Sequence, residues 1–192
     1  MHVRELIEKN YPEYSGWFDY PADRTVAFCK TDEAWGILGN FGRSPLVLDG
    51  VSFPCAESVF QIMKFSDPEA RRSIFPLKGQ HIKMRAKHYE KVVGVRSDWG
   101  KILVDALKFC LMTKYAQSED FRAELARTGD RFIVEMQSNP KRPANTYSAK
   151  LSPDGRTWSG PNLMGRLLME LRDNGKLDYH LPDDVKSFAD LK

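Results

Sequence analysis

The sequence predicts an α+β fold: a mainly α-helical single domain with a small β element. Three observations lead there. Apolar residues recur at helical spacing over most of the chain beyond Pro54. Runs of β type are short and confined to residues 25–30, 46–53 and 131–136. The 192 residues carry 42% hydrophobic content, enough for one substantial core, and no linker divides them.

In chain order, residues 1–10 read as a short amphipathic helix, and 11–24, rich in Tyr, Pro, Gly and Asp, as a loop. Residues 25–30 read as a strand, and the Gly-punctuated 36–44 as a loop. Residues 46–53 form two short strands joined at Asp49-Gly50, a hairpin signal. Pro54 then opens a helix, at a position where proline is tolerated. Asp67-Pro68 starts a short helix to about Ile74, and 79–91 is a further helix. Residues 97–116 form the best-defined helix, capped by Ser97, with Ile102, Leu103, Ala106, Phe109, Cys110 and Thr113 at helical spacing. Another runs over 118–127 with Gly129 beyond its end. Residues 131–136 are a strand, 138–161 a long loop, and 162–172 an amphipathic helix ended by Asn174-Gly175. One domain therefore spans 1–192, with a core at about 26–175, an N-terminal extension (1–25) and an acidic C-terminal extension (176–192).

The formal charge of +3 is too mild to imply nucleic-acid binding. It is uneven, however. Lys64, Arg71, Arg72, Lys78, Lys83, Arg85, Lys87 and Lys91 face only Asp67, Glu69 and Glu90 in the same stretch. Such an excess either attracts phosphates or is the solvated face of helices. No apolar run is long enough to span a membrane, and the N-terminus lacks the apolar core of a signal peptide, so a cytoplasmic location is expected. Cys29, Cys55 and Cys110 form neither a zinc spacing nor a disulfide framework. His2, His81, His88 and His180 form no metal-ligand cluster, and neither metal nor cofactor is expected.

The most informative segment is the helix of residues 54–65. Glu57, Phe60, Gln61 and Lys64 fall at i, i+3, i+4 and i+7, on one face. Ala56, Val59, Ile62, Met63 and Phe65 cover the others. A helix apolar on nearly all sides is usually buried. Its one polar stripe is then either a solvated Glu-Gln-Lys face or the wall of an active site, because buried ionisable groups are costly unless paired or put to use.

Several segments, taken in order, resemble the NADAR family of YbiA-like N-glycosidases. Gly39-Asn40-Phe41 resembles the family's Ser-Asn-Phe loop. A hairpin with a central Gly and a Pro follows. Then Ala56-Glu57-Ser58-Val59-Phe60-Gln61-Ile62-Met63-Lys64-Phe65 matches a helix of the form S-E-H-Y-F-Q-x-x-K-F. Arg96-Ser97-Asp98-Trp99 is similar to an Arg-x-x-Trp helix start, and Ile133-Val134-Glu135 to an L-V-E strand. The run from Asn162 to Arg172 is similar to N-x-L-G-x-x-L-M-E-L-R. The likeness covers about 26–175. It departs at Ser58-Val59, where the family has His-Tyr, at Gly39, where it has Ser, and at 147–161, where its Trp- and Gly-rich loop is rewritten.

The resemblance implies a YbiA-like fold and cleavage of a ribose C1′–N bond. The implied substrates are phosphorylated ribosylamino-pyrimidine intermediates of riboflavin synthesis or ADP-ribose on guanine, with modified nucleic acid among the candidate partners. Positive charge develops on the ribose in such a reaction and the departing nitrogen needs a proton. Lys64 is the candidate nucleophile, through a Schiff base with the opened ribose. Apolar neighbours would favour its free amine, and an ion pair with Glu57 or a surface position is the structural alternative. Glu57, two turns away at roughly 10 Å along the axis, either holds ribose hydroxyls or acts as acid and base. Gln61 orients the sugar or Lys64, or satisfies buried backbone. Glu135 is a second carboxylate or a strand-end acid. Asn40 and Arg43 are candidates for ribose and phosphate. Phe41 stacks or packs. Trp99 is either core or a stacking platform, and Trp158, in a polar loop, is expected to meet ligand. Asp98 assists its helix or the substrate. Asn162 caps a helix whose N-terminus would accept phosphate. Two rivals stand beside the enzyme. One is a non-catalytic ADP-ribose or nucleotide-binding module, and the other is a nucleic-acid-binding protein using the 64–91 stretch. The oligomeric state is left open by the sequence.

Overall fold

A computed structural model describes residues 3–139 and 141–192; the sequence reading of His2 lies outside them. The helices are α1 (Val3–Asn10), α2 (Ala56–Met63), α3 (Pro68–Ile74), α4 (Gln80–Val92), α5 (Trp99–Gln117), α6 (Glu119–Arg127), α7 (Leu163–Asn174) and α8 (Asp183–Lys186). The strands are β1 (Phe18–Pro21), β2 (Thr25–Phe28), β3 (Leu46–Leu48), β4 (Val51–Phe53), β5 (Phe132–Glu135), β6 (Lys150–Leu151) and β7 (Thr157–Gly160). The architecture is α+β, as expected. The β component is three small sheets rather than one element: β1-β7-β6, β2-β5 and β3-β4. No helix among the described residues is long and apolar enough to cross a membrane.

The chain divides into two compact units, one of residues 1–39 and 119–177, the other of 40–118 and 178–192. In the first, β2 and β5 pair in parallel and α7 packs on β5. Gly165 makes that packing close: a Cβ there would lie 2.0 Å from the Ile133 carbonyl oxygen. The antiparallel β1-β7-β6 sheet replaces two stretches expected as loop, 11–24 and 138–161. Its strands are held by pairing between distant segments, which local composition does not signal.

In the second unit, Asp49 (φ 52°) and Gly50 (φ 75°) turn the β3-β4 hairpin as expected. All eight residues of α2 are buried, and α3, α4 and α5 pack around it. The helix begins two residues after Pro54, and its first turn is satisfied from outside: the Glu57 N–H donates to the Asn40 carbonyl at 2.9 Å. Asp67 caps α3 by accepting from the Ala70 N–H at 2.7 Å. Ser97 does not cap α5, which starts at Trp99 with Asp98 preceding it. The C-terminal segment belongs to this unit. Its Phe188 ring lies 5.1 Å from that of Phe53, and Arg71 grips both carboxylate oxygens of Asp190 at 2.9 Å.

Candidate active site

The polar stripe of α2 is buried, so the solvated-face alternative fails for Glu57 and Gln61. Gln61 Nε2 donates to Glu57 Oε1 at 2.8 Å, one turn apart on the helix. The same oxygen lies 3.5 Å from Lys83 Nζ of α4. Lys83 is itself seated over the Phe41 ring, 4.8 Å from its centre. Asn40 is buried beside this group through its backbone, and its Oδ1 has no hydrogen-bond partner among the described residues. A buried carbonyl oxygen without a donor is uncommon and costs stability, and such an oxygen can accept from a hydroxyl or N–H. Arg43 is exposed on the same loop.

Lys64 ends the helix. Its ammonium bonds Glu90 Oε1 of α4 at 2.8 Å, with 15% of the lysine side chain and 36% of the glutamate exposed. The expected surroundings of Lys64 were apolar, or an ion pair with Glu57. Its partner is instead a carboxylate from another helix. Glu57 and Lys64 stand seven residues apart on α2, as do Lys83 and Glu90 on α4. The two helices therefore run side by side in the same sense, with opposite charges facing at both ends. Beneath Lys64, the Phe60 ring lies 5.8 Å from Nζ and 5.3 Å from the Trp99 ring, forming an aromatic floor. Trp99 is buried there.

Arg96 fixes this end of α2. Its N–H donates to the Lys64 carbonyl at 2.9 Å. Its guanidinium holds both oxygens of Asp98, at 2.5 and 2.9 Å, and Asp184 at 3.0 Å. The Arg96 hydrogen bonds hold the Asp98 carboxyl below its ordinary range. Asp98 is thus committed to Arg96 rather than to the α5 amides. Behind α2, Lys114 of α5 is fully buried, and desolvation pushes its amine down to about 7. Cys55 and Cys110, near by, are buried free thiols whose pKa burial raises.

Glu135, Trp158 and Asn162 lie in the other unit. Asn162 (φ 49°) makes no side-chain cap on α7, which corrects the expectation. Its Nδ2 donates to the Ile133 carbonyl at 2.8 Å, and its Oδ1 accepts from the Glu135 N–H at 3.1 Å, so it pins α7 to β5 and holds Glu135. Trp158 is in β7, not a loop, opposite Tyr20, and packs on the Tyr20, Val134 and Ala149 cluster. Lys83, Glu90 and Lys114 were not singled out from the sequence. A signal for the first two existed: opposite charges on α4 at the same seven-residue spacing as Glu57 and Lys64.

A family profile described as the NADAR domain matches residues 27–174. The chain is 28% identical over 151 residues to N-glycosidase YbiA of Escherichia coli K12, covering 79% of this chain and 88% of that one. It is 25% identical over 169 residues to a riboflavin biosynthesis protein of Vibrio vulnificus, covering 88% of this chain and 42% of that one. The NMR structure of the E. coli protein YbiA superposes with a TM-score of 0.61 at 27% identity, covering 79% of this chain and 84% of that one.

Proposed function

The chain belongs to the NADAR family, and from that premise we propose that it is an N-glycosidase cleaving the bond between ribose C1′ and a nitrogen. The substrate is an ADP-ribosylated guanine or a phosphorylated ribosylamino-pyrimidine. Similarity to N-glycosidase YbiA supports the reaction, and similarity to a riboflavin biosynthesis protein supports the second substrate class. The observation that carries the reading is the α2 stripe: a buried carboxylate and a lysine two turns apart, beside a buried acceptor at Asn40 that has no donor among the described residues.

In this mechanism Asn40 Oδ1 accepts from a ribose hydroxyl. Glu57, oriented by Gln61, stabilises the positive charge that grows at C1′. Lys64 Nζ forms the covalent link to C1′ and water later releases the sugar. Phe41, Arg43 and Lys83 line the approach, with the two cations suited to phosphate. Trp99 supports Phe60 under Lys64. Asp98 acts through Arg96.

The test is to incubate the protein with ADP-ribosylated guanine DNA and, separately, with ribosylamino-pyrimidine phosphate, and to follow release of the sugar by mass spectrometry. Lys64→Ala is expected to abolish release while the fold survives. Borohydride is expected to trap a sugar adduct on the wild type alone. Glu57→Gln is expected to lower turnover by about 10²-fold or more. Tight ADP-ribose binding without release from either probe would replace this reading by the non-catalytic binding module. Ser58-Val59 in place of His-Tyr favours that alternative.

A further inference from the structure

Lysine attacks carbon only as the free amine, so some group must take the proton of the Lys64 ammonium before the step proposed above. We propose that Glu90 of α4 is that group, and that it returns the proton to the departing nitrogen. The inference rests on Lys64 being the nucleophile. It adds a catalytic residue from a helix that carries none of the family-like motifs.

Geometry selects Glu90. Its Oε1 is 2.8 Å from Lys64 Nζ, within range for direct proton transfer. Glu57, the other carboxylate of the stripe, is two turns away, and its Oε1 already accepts from Gln61 and faces Lys83. Exposure favours the same assignment. At 36% exposed, Glu90 can reach both Lys64 and an incoming substrate, whereas Lys64 is only 15% exposed.

The step balances as follows. The Nζ–H bond breaks and a Glu90 O–H bond forms, leaving the electron pair on Nζ. The Nζ–C1′ bond forms as the C1′–N bond breaks, its pair leaving with the base nitrogen, which takes the proton from Glu90. A second Nζ proton passes through Glu90 to O4′ as the ring opens to the iminium. One water then adds at C1′ and frees Lys64 with the sugar as its aldehyde form.

A purely structural ion pair predicts a different outcome on mutation. Were the pair only structural, Glu90→Gln would leave turnover unchanged in a folded protein. The experiment compares wild type, Lys64→Ala, Glu90→Gln and Glu90→Asp on both probes named above. Labelling of Lys64 by a neutral amine-reactive reagent is read in parallel by mass spectrometry. The expected result is that Glu90→Gln leaves Lys64 open to labelling yet lowers turnover about 100-fold with KM within about threefold of wild type. Glu90→Asp recovers part of that turnover. Turnover of Glu90→Gln at or above wild type, or a loss borne by KM, overturns the assignment while the Lys64 reading stands. Turnover retained by Lys64→Ala overturns both. Circular dichroism on each variant separates loss of fold from loss of chemistry, and Glu90→Asp, which keeps the charge, decides the matter if Glu90→Gln is unfolded.

Discussion

Among single residues, Lys114 is the most exacting, because burial rather than a catalytic partner sets its behaviour. Its amine is pushed down to about 7 in the folded chain, against an ordinary lysine value near 10.4 when unfolded. Between those values the unfolded chain binds more protons than the folded one. Stability therefore rises with pH across that window and falls as pH drops toward 7. Below 7 the amine is charged in both states and the penalty stays constant. Lys114→Met removes the penalty. The stability of the variant relative to wild type is expected to be roughly 3–5 kcal/mol more favourable at pH 6 than at pH 10. Urea unfolding across that range checks it. A constant difference between the two proteins at all pH values would contradict the burial argument. The same residue shows a limit of sequence reading. Lys114 follows an apolar helical run, and nothing local reveals that other elements close over it.

At the scale of elements, legibility followed the range of the forces involved. The β3-β4 hairpin was legible because Asp49-Gly50 supplies left-handed backbone locally, and α3 because Asp67 caps it locally. The polar stripe of α2 was legible from helical periodicity alone. The β1-β7-β6 sheet was not, since Phe18–Pro21 pairs with Thr157–Gly160 across most of the chain. Nor were the α4 partners of Glu57 and Lys64, whose role depends on how two helices are laid side by side. The α7-β5 contact lies between these cases: Gly165 was visible as part of a motif, and its reason only in space. A Cβ at that position would meet the Ile133 carbonyl at 2.0 Å and the Asn162 amide at about 2.5 Å. Backbone on one side and a doubly hydrogen-bonded side chain on the other cannot yield cheaply. Gly165→Ala is therefore expected to destabilise by about 1–3 kcal/mol or more, despite the better helix propensity of alanine. Denaturant unfolding of that variant is the check, and a gain in stability would show that α7 shifts freely on β5.

At the scale of the whole molecule, the family match ends at residue 174, yet residues 178–192 are part of the unit that contains α2. The segment is built in rather than draped on. Phe188 and Val185 are fully buried, the Phe188 N–H donates to Asp49 Oδ2 at 2.7 Å, and Arg71 binds Asp190 and the Ser187 carbonyl. Asp184 meanwhile bonds Arg96, whose N–H holds the last carbonyl of the α2 stripe. The segment thus contributes to the packing that keeps Lys64 in place, without touching Lys64. Two substitutions separate those contributions. Phe188→Ala opens a cavity against Phe53 and is expected to cost about 3–5 kcal/mol. Asp190→Ala leaves the Arg71 guanidinium, 7% exposed, without its carboxylate, and is expected to cost about 3 kcal/mol. Both are read from urea midpoints. Turnover under native conditions is expected to stay within about twofold of wild type in both, because a packing loss of this size still leaves a folded majority in a protein of ordinary stability. An unchanged midpoint for Phe188→Ala would mean that the C-terminal segment is dispensable to the unit. A collapse of turnover with an unchanged midpoint would instead tie the segment to the chemistry at Lys64 through Arg96.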